Sequence, residues 1–238
     1  MKLLSQCLIC LILWTTISCS SISKQQSAKP NKLKQNVLLI HGILMNPLEM
    51  RYLGKQLEKS GLDVYYVYYQ SVLKTPRENA QAVYKKIKNL KLSNLHIVAH
   101  SLGGIITMHL FDQFNDIPEG RVVMLGSPVN GSWIAQKVQN WPVISPLLAR
   151  SMPSALSGED LPKWESKRDW GMVAGSRNQG LGLLTGGLPD EGDGTVLLKE
   201  THHPKQTAHI KVKTSHTGLL FSKEVAELTS NFLKTGKF

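Results

Sequence analysis

Ser101 follows an apolar run, residues 95–99, and sits in the sequence Ala99-His100-Ser101-Leu102-Gly103-Gly104. The run before it reads as a buried strand and residues 105–114 read as a helix, so the serine falls on the turn between them. Such a turn is strained and its neighbours crowd the backbone. Small residues are therefore needed two positions to either side, and Ala99 and Gly103 supply them. A hydroxyl held clear of a sheet in this way offers nucleophilic attack. At neutral pH it attacks only with a base in hydrogen-bonding reach, itself oriented by a carboxylate.

Two later segments supply those partners in the order serine, aspartate, histidine. The first is Asp190-Glu191-Gly192-Asp193-Gly194-Thr195-Val196, a glycine-flanked loop, and the second is Thr214-Ser215-His216-Thr217-Gly218, between the last strand and the last helix. His216 is the preferred base because a strand end aims it at the edge that carries Ser101. His202 and His203 fall in a polar loop beside Pro204, His209 lies at a strand start on the wrong end of the sheet, and His96 and His109 lie within elements. His100 is expected to turn away from the reacting centre. Asp193 is preferred over Asp190 and Glu191 because glycines on both sides let its backbone turn tightly toward the histidine. The oxyanion formed on attack needs two backbone donors. Leu102, directly after the nucleophile, supplies one, and Ile43, where His41-Gly42-Ile43 bends away from the first strand, supplies the other. The histidines and the acidic loop lack metal-ligand spacing, and no metal is expected.

These residues need a scaffold that brings them to one edge. Residues 36–40 read as a short buried strand ending at His41-Gly42. Asn46, Pro47 and Glu49 then read as the start of a helix with Met50, Leu53 and Leu57 on one face and Gly61 as its stop. Residues 64–69 are rich in strand formers, and Thr75-Pro76-Arg77-Glu78 is a capping box opening a helix whose Ala80, Val83, Ile87 and Leu90 share a face. Further strands are expected at residues 121–125, 171–174 and 209–212. A closing helix has Phe221, Val225, Leu228 and Phe232 on one side. Alternating strands and helices with short apolar runs predict an α/β fold of about six mostly parallel strands covered on both faces, with the ligand beyond the strands' C-terminal ends. Residues 129–169 break the alternation with Trp133, Trp141 and Trp164 and several prolines; they read as a small cap whose apolar side chains line an acyl pocket, although any one of the tryptophans is more often packing for the cap on the sheet than a substrate contact.

The 238 residues, 42% of them hydrophobic, suffice for one full core. Residues 1–18 have a short basic start and an apolar run like a secretory signal, too short to span a bilayer comfortably. All three cysteines, Cys7, Cys10 and Cys19, fall inside or at the end of it, which leaves the mature domain without a disulfide. Thr16-Ile17-Ser18-Cys19 resembles a bacterial lipoprotein processing site, in which Cys19 becomes an acylated N-terminus and membrane anchor; ordinary cleavage, giving a soluble periplasmic or secreted protein, is the alternative. Residues 19–35 then form a polar tether whose Lys24, Lys29, Lys32 and Lys34 suit anionic headgroups. The net charge of +11 comes from scattered residues without a basic-aromatic recognition motif, so nucleic acid is not expected as a partner.

Taken together, VLLIHG (residues 37–42), AHSLGG, VVMLGSP (122–128), DGTV (193–196) and SHTGLL (215–220) resemble the α/β-hydrolase superfamily, close to its small bacterial lipases and esterases. The resemblance implies Ser101 as nucleophile, Asp193 as acid, His216 as base, oxyanion amides at Ile43 and Leu102, and no cofactor. It departs where Val129-Asn130, rather than a histidine, precedes Gly131-Ser132. The implied activity is hydrolysis of an apolar acyl ester in the cell envelope. An acyltransferase with the same residues, or a noncatalytic lipid- or partner-binding lipoprotein, would share the pattern, and the oligomeric state is not encoded in it.

Overall fold

The computed structural model describes residues 35–138, 141 and 161–238. The expected signal, residues 19–34 of the expected tether and Cys7, Cys10 and Cys19 lie outside these residues, as do 139–140 and 142–160 of the expected cap, whereas Gln35, expected as the end of the tether, opens the first strand. Among the described residues, six strands form one sheet: β1 (Gln35–Ile40), β2 (Leu62–Tyr66), β3 (His96–His100), β4 (Val122–Leu125), β5 (Trp170–Gly175) and β6 (Ala208–Val212). Their order is β2-β1-β3-β4-β5-β6, and every neighbouring pair is parallel. The helices are α1 (Arg51–Lys59), α2 (Pro76–Leu90), α3 (Leu102–Gln113), α4 (Trp133–Val138) and α5 (Lys223–Thr235).

Side chains alternate across the sheet, and the two faces need separate cover. Leu38, Ile40, Ile97, Ala99 and Met124 join Val83 and Ile87 of α2 and Ile105 and Ile106 of α3 in one core. Val37, Leu39, Val98, Val123 and Leu125 join Leu53 and Leu57 of α1 and Val225 and Phe232 of α5 in the other. A strand buried on both faces reads as an unbroken apolar run, which is what residues 37–40 show. Helix α3 is buried along residues 102–110, consistent with its lack of a polar face.

Capping chemistry sets the helix boundaries with mixed outcomes. Thr75 caps α2 as expected: its Oγ1 accepts from the Glu78 N–H (3.2 Å) while Glu78 Oε2 accepts from the Thr75 N–H (2.8 Å). Asn46 and Glu49 make a similar pair, with Asn46 Oδ1 accepting from Leu48 N and Glu49 Oε2 from Asn46 N, yet α1 begins only at Arg51. A local side-chain turn competes with the helix there and delays it. Phe221, expected on the buried side of the last helix, is 52% exposed and precedes α5, whose cap is Ser222. Trp164 is fully buried between Phe111 and Trp170, with ring centroids 5.2 Å away on each side, and acts as core packing beside β5.

Candidate active site

Sheet order reverses between β1 and β3, so the chain leaves their C-terminal ends in opposite directions and opens a crevice there. The His41-Gly42-Ile43 turn follows β1, and Ser101 follows β3. Ser101 adopts φ 53° and ψ −121°, a conformation that costs a non-glycine residue about 1–3 kcal/mol. Its N–H donates to Leu125 O at the end of β4 (2.9 Å), tying the turn to the sheet. The helix that follows runs so close to β1 that a β-carbon on Gly103 would lie 2.6 Å from Ile40 O and 2.7 Å from His41 O. Only glycine fits at 103, which is the physical content of the small residue expected two positions after the serine.

Asp193 and His216 meet above the end of β4. Asp193 Oδ2 accepts from His216 Nδ1 at 2.7 Å, and Asp193 is 1% exposed. The other carboxylate oxygen accepts from the N–H groups of Thr195 (2.9 Å) and Val196 (2.8 Å), a turn in which an aspartate folds back on its own backbone. The His216 N–H donates to Asp193 O (2.9 Å), so main chain and side chain join the same two residues. Gly126, at φ 55°, passes directly beneath: a β-carbon there would lie 2.9 Å from Asp193 Oδ2 and 3.2 Å from His216 Nδ1. A carboxylate accepts only, which places a proton on Nδ1 and leaves Nε2 as the ring nitrogen that Asp193 does not engage.

His216 and Ser101 line one cavity of about 360 Å3, together with Gly42, Ile43, Leu44, Met45, His100 and Leu181 among others. Its apolar wall comes from the turn after β1 and from the 3-10 turn Leu181–Thr185; among the described residues, none of the expected cap lines it. Leu102 opens α3, where helix geometry leaves its N–H without an intrahelical acceptor. Ile43 lies on the facing turn, and its N–H has no backbone acceptor among the described residues.

His100 does not simply turn away. It lines the cavity, is fully buried, and donates from Nε2 to His216 O (3.1 Å). Burial, and then the neighbouring His216, hold its pKa well below the ordinary histidine value, so it stays neutral. Asp190 and Glu191 are exposed and paired with Lys199 (3.7 Å) and Lys211 (2.9 Å), away from the imidazole. His209 donates to or accepts from Thr201 Oγ1 (2.8 Å) and stacks on His202, His203 packs near Trp170, and His96 and His109 are buried in β3 and α3. No group of three or more His, Cys, Asp or Glu side chains among the described residues is disposed to hold a metal ion. A larger cavity, about 470 Å3, lies by Phe111 and Arg168 at the N-terminal edge of the sheet. There the Arg168 guanidinium is spent on Gly120 O and Ile117 O.

Four hydrogen bonds at the site were not foreseen from sequence: those from the Thr195 and Val196 amides to Asp193, that from His100 to His216, and that from the Tyr69 phenol to His41 O. The first two had a signal, since Asp-Gly-Thr-Val is a stretch in which an aspartate can bond two and three residues on.

Solved structures with the same architecture include lipase BlEst2 of Bacillus licheniformis in its mature form, with TM-score 0.70 and 19% identity over 89% of this chain and 95% of that one. An extracellular α/β-hydrolase from a Paenibacillus species matches with TM-score 0.60 and 17% identity, over 82% and 97% of the two chains. A bromoperoxidase from Bacillus anthracis matches with TM-score 0.63 and 16% identity, over 84% and 92%. At such identities the likeness defines the fold, and the differing names show that this fold carries more than one chemistry. No curated protein matches the chain. A family described as a domain of unknown function, DUF7379, matches residues 14–150, a stretch that includes the turn after β1 and Ser101. The chain thus has the α/β-hydrolase fold and belongs to the DUF7379 family.

Proposed function

We propose that the protein is a serine hydrolase that cleaves an apolar acyl ester. The observation that carries this reading is the 2.7 Å bond between His216 Nδ1 and the buried Asp193, with the same imidazole and Ser101 on one cavity wall. His216 Nε2 takes the Ser101 proton as Oγ adds to the ester carbonyl. The N–H groups of Ile43 and Leu102 receive the oxyanion. Collapse of the tetrahedral adduct expels the alcohol, which takes the proton from His216, and leaves an acyl-serine. Water, deprotonated by the same Nε2, then adds to the acyl carbonyl; the second adduct collapses, the bond to Oγ breaks, Ser101 takes the proton back from His216 and the acid is released. Asp193 holds the imidazole in the required tautomer and stabilises it while it is charged. Ile43, Leu44, Met45 and Leu181 around the cavity favour an apolar acyl group over a charged one.

A fluorophosphonate probe should label the native protein, and Ser101→Ala should abolish both labelling and turnover of nitrophenyl esters. Retention of full esterase activity by that variant would overturn the reading. Product partition between water and an added alcohol separates hydrolysis from acyl transfer. Export to the cell envelope with Cys19 acylated is part of the same proposal. Its support is the sequence of residues 1–35, and the mass of the mature N-terminus tests it.

A further inference from the structure

We propose that His41 is a positioning residue that aims the Ile43 amide at the oxyanion, and that Tyr69 holds His41 in place; this rests on the serine hydrolase reading above. His41 is fully buried and its Nδ1 lies 2.9 Å from Gly42 O. A carbonyl accepts only, so Nδ1 carries the proton. Burial, the largest influence, lowers the His41 pKa and keeps the ring neutral. Gly42 O and the Ile43 N–H belong to one peptide plane and point in opposite directions across it. Drawing the oxygen toward the buried imidazole therefore turns the Ile43 N–H away from it, on a stretch where Gly42 and Ile43 line the cavity. Gly42 is close enough to the nucleophile that a β-carbon on it would lie 3.2 Å from Ser101 Cβ.

His41 is in turn held through both its ring and its main-chain carbonyl. The Tyr69 ring stacks on it with centroids 4.1 Å apart and planes 6° from parallel. The Tyr69 hydroxyl donates to His41 O, and burial raises the phenol pKa well above its ordinary value, so the donor is retained at every relevant pH. That carbonyl also packs on Gly103 of α3, 2.7 Å from where a β-carbon would stand. On the other side of Ile43, Ser71 Oγ accepts from the Leu44 N–H (3.2 Å), so two residues that follow β2 grip the turn on either side of the amide. His41 Nε2 is buried without a partner among the described residues. A histidine kept only for packing gains nothing from that orphan atom. Its Nδ1–H bond is the polar contact that the ring makes, and that bond orients the peptide.

His41→Phe keeps the stack on Tyr69 and removes the donor, whereas His41→Asn restores an N–H near the Nδ1 position. For the phenylalanine variant, kcat on a nitrophenyl ester should fall about ten- to a hundredfold with KM changed by less than about twofold, because the lost interaction belongs to the transition state. Inhibition by a trifluoromethyl ketone, which presents an oxyanion after Ser101 adds to it, should weaken by the same factor, and His41→Asn should recover most of both. Tyr69→Phe, which removes one oxygen, should give a smaller loss in the same two measurements and covers the case in which His41→Phe does not fold. A folded His41→Phe with native kcat, or identical kcat for the phenylalanine and asparagine variants, overturns the proposal. Failure of the hydrolase reading looks different: native protein and Ser101→Ala would then behave alike toward ester and probe.

Discussion

The imidazole of His100 donates through Nε2 to the main-chain carbonyl of His216, 3.1 Å away, although the two residues are 116 positions apart in the chain. The bond joins the end of β3, where the serine turn begins, to the loop that carries the candidate base. His100→Leu leaves that carbonyl unpaired in a buried place, which should cost about 1–3 kcal/mol of stability, read as a lowered midpoint in thermal or denaturant unfolding. Turnover should fall about tenfold as His216 loses its fixed height over Ser101. His100→Gln, which keeps a donor, should lie between the two.

Gly126 lies under the Asp193–His216 pair at a positive φ. In Gly126→Ala the new methyl group meets the very atoms that share the proton, so the loss of kcat should exceed what the shift in melting temperature alone suggests. Unfolding curves and nitrophenyl ester rates on the same preparations decide this.

Asp193→Asn keeps the shape of the side chain but presents an amide to His216, which favours the wrong tautomer. On the proposed mechanism a drop in kcat of about 10⁴-fold is expected, the size seen when a serine protease loses its triad carboxylate. Asp190→Asn and Glu191→Gln, which break only exposed ion pairs, should leave turnover near native.

His96, buried at the start of β3, has its pKa lowered to about 4, mainly by burial and next by the Arg121 charge. Between the ordinary histidine value and about 4, the unfolded chain binds a proton that the folded chain refuses. Stability from this group is therefore intact above that window and falls as pH drops through it, by up to about 3 kcal/mol. His209, also lowered to about 4 by burial and by His202, acts with the same sign. His96→Asn keeps an acceptor for the Arg121 N–H and should flatten part of the acid loss in melting temperature between pH 7 and pH 4.

Much of this arrangement is legible from local chemistry. The Thr75 capping box, the apolar runs of β1 and β3 and the glycine two positions after Ser101 each obey a rule confined to a few residues. That confinement is why they point to helices, strands and a tight turn before any fold is known. Asn46 and Glu49 obey the same capping rule and still close a turn ahead of α1, because a short side-chain loop satisfies both groups without a helix. Contacts between distant segments carry no such local mark. Tyr69 reaches His41 across 28 positions and His100 reaches His216 across 116, and nothing near either residue announces the partner. Trp164 takes the packing role that composition favours for any single tryptophan of that stretch: a large apolar ring beside Phe111 and Trp170 gains more from complete burial than from a place at the cavity.

The left-handed backbone at Ser101 sets the proposed reactivity against durability. A glycine at that position would settle into the same torsions without steric conflict, and the fold would be sturdier for the exchange. The hydroxyl thus occupies the spot where the scaffold would do better without it, and the packing of β3 and α3 around the turn compensates for a residue that the proposed chemistry explains and the fold does not.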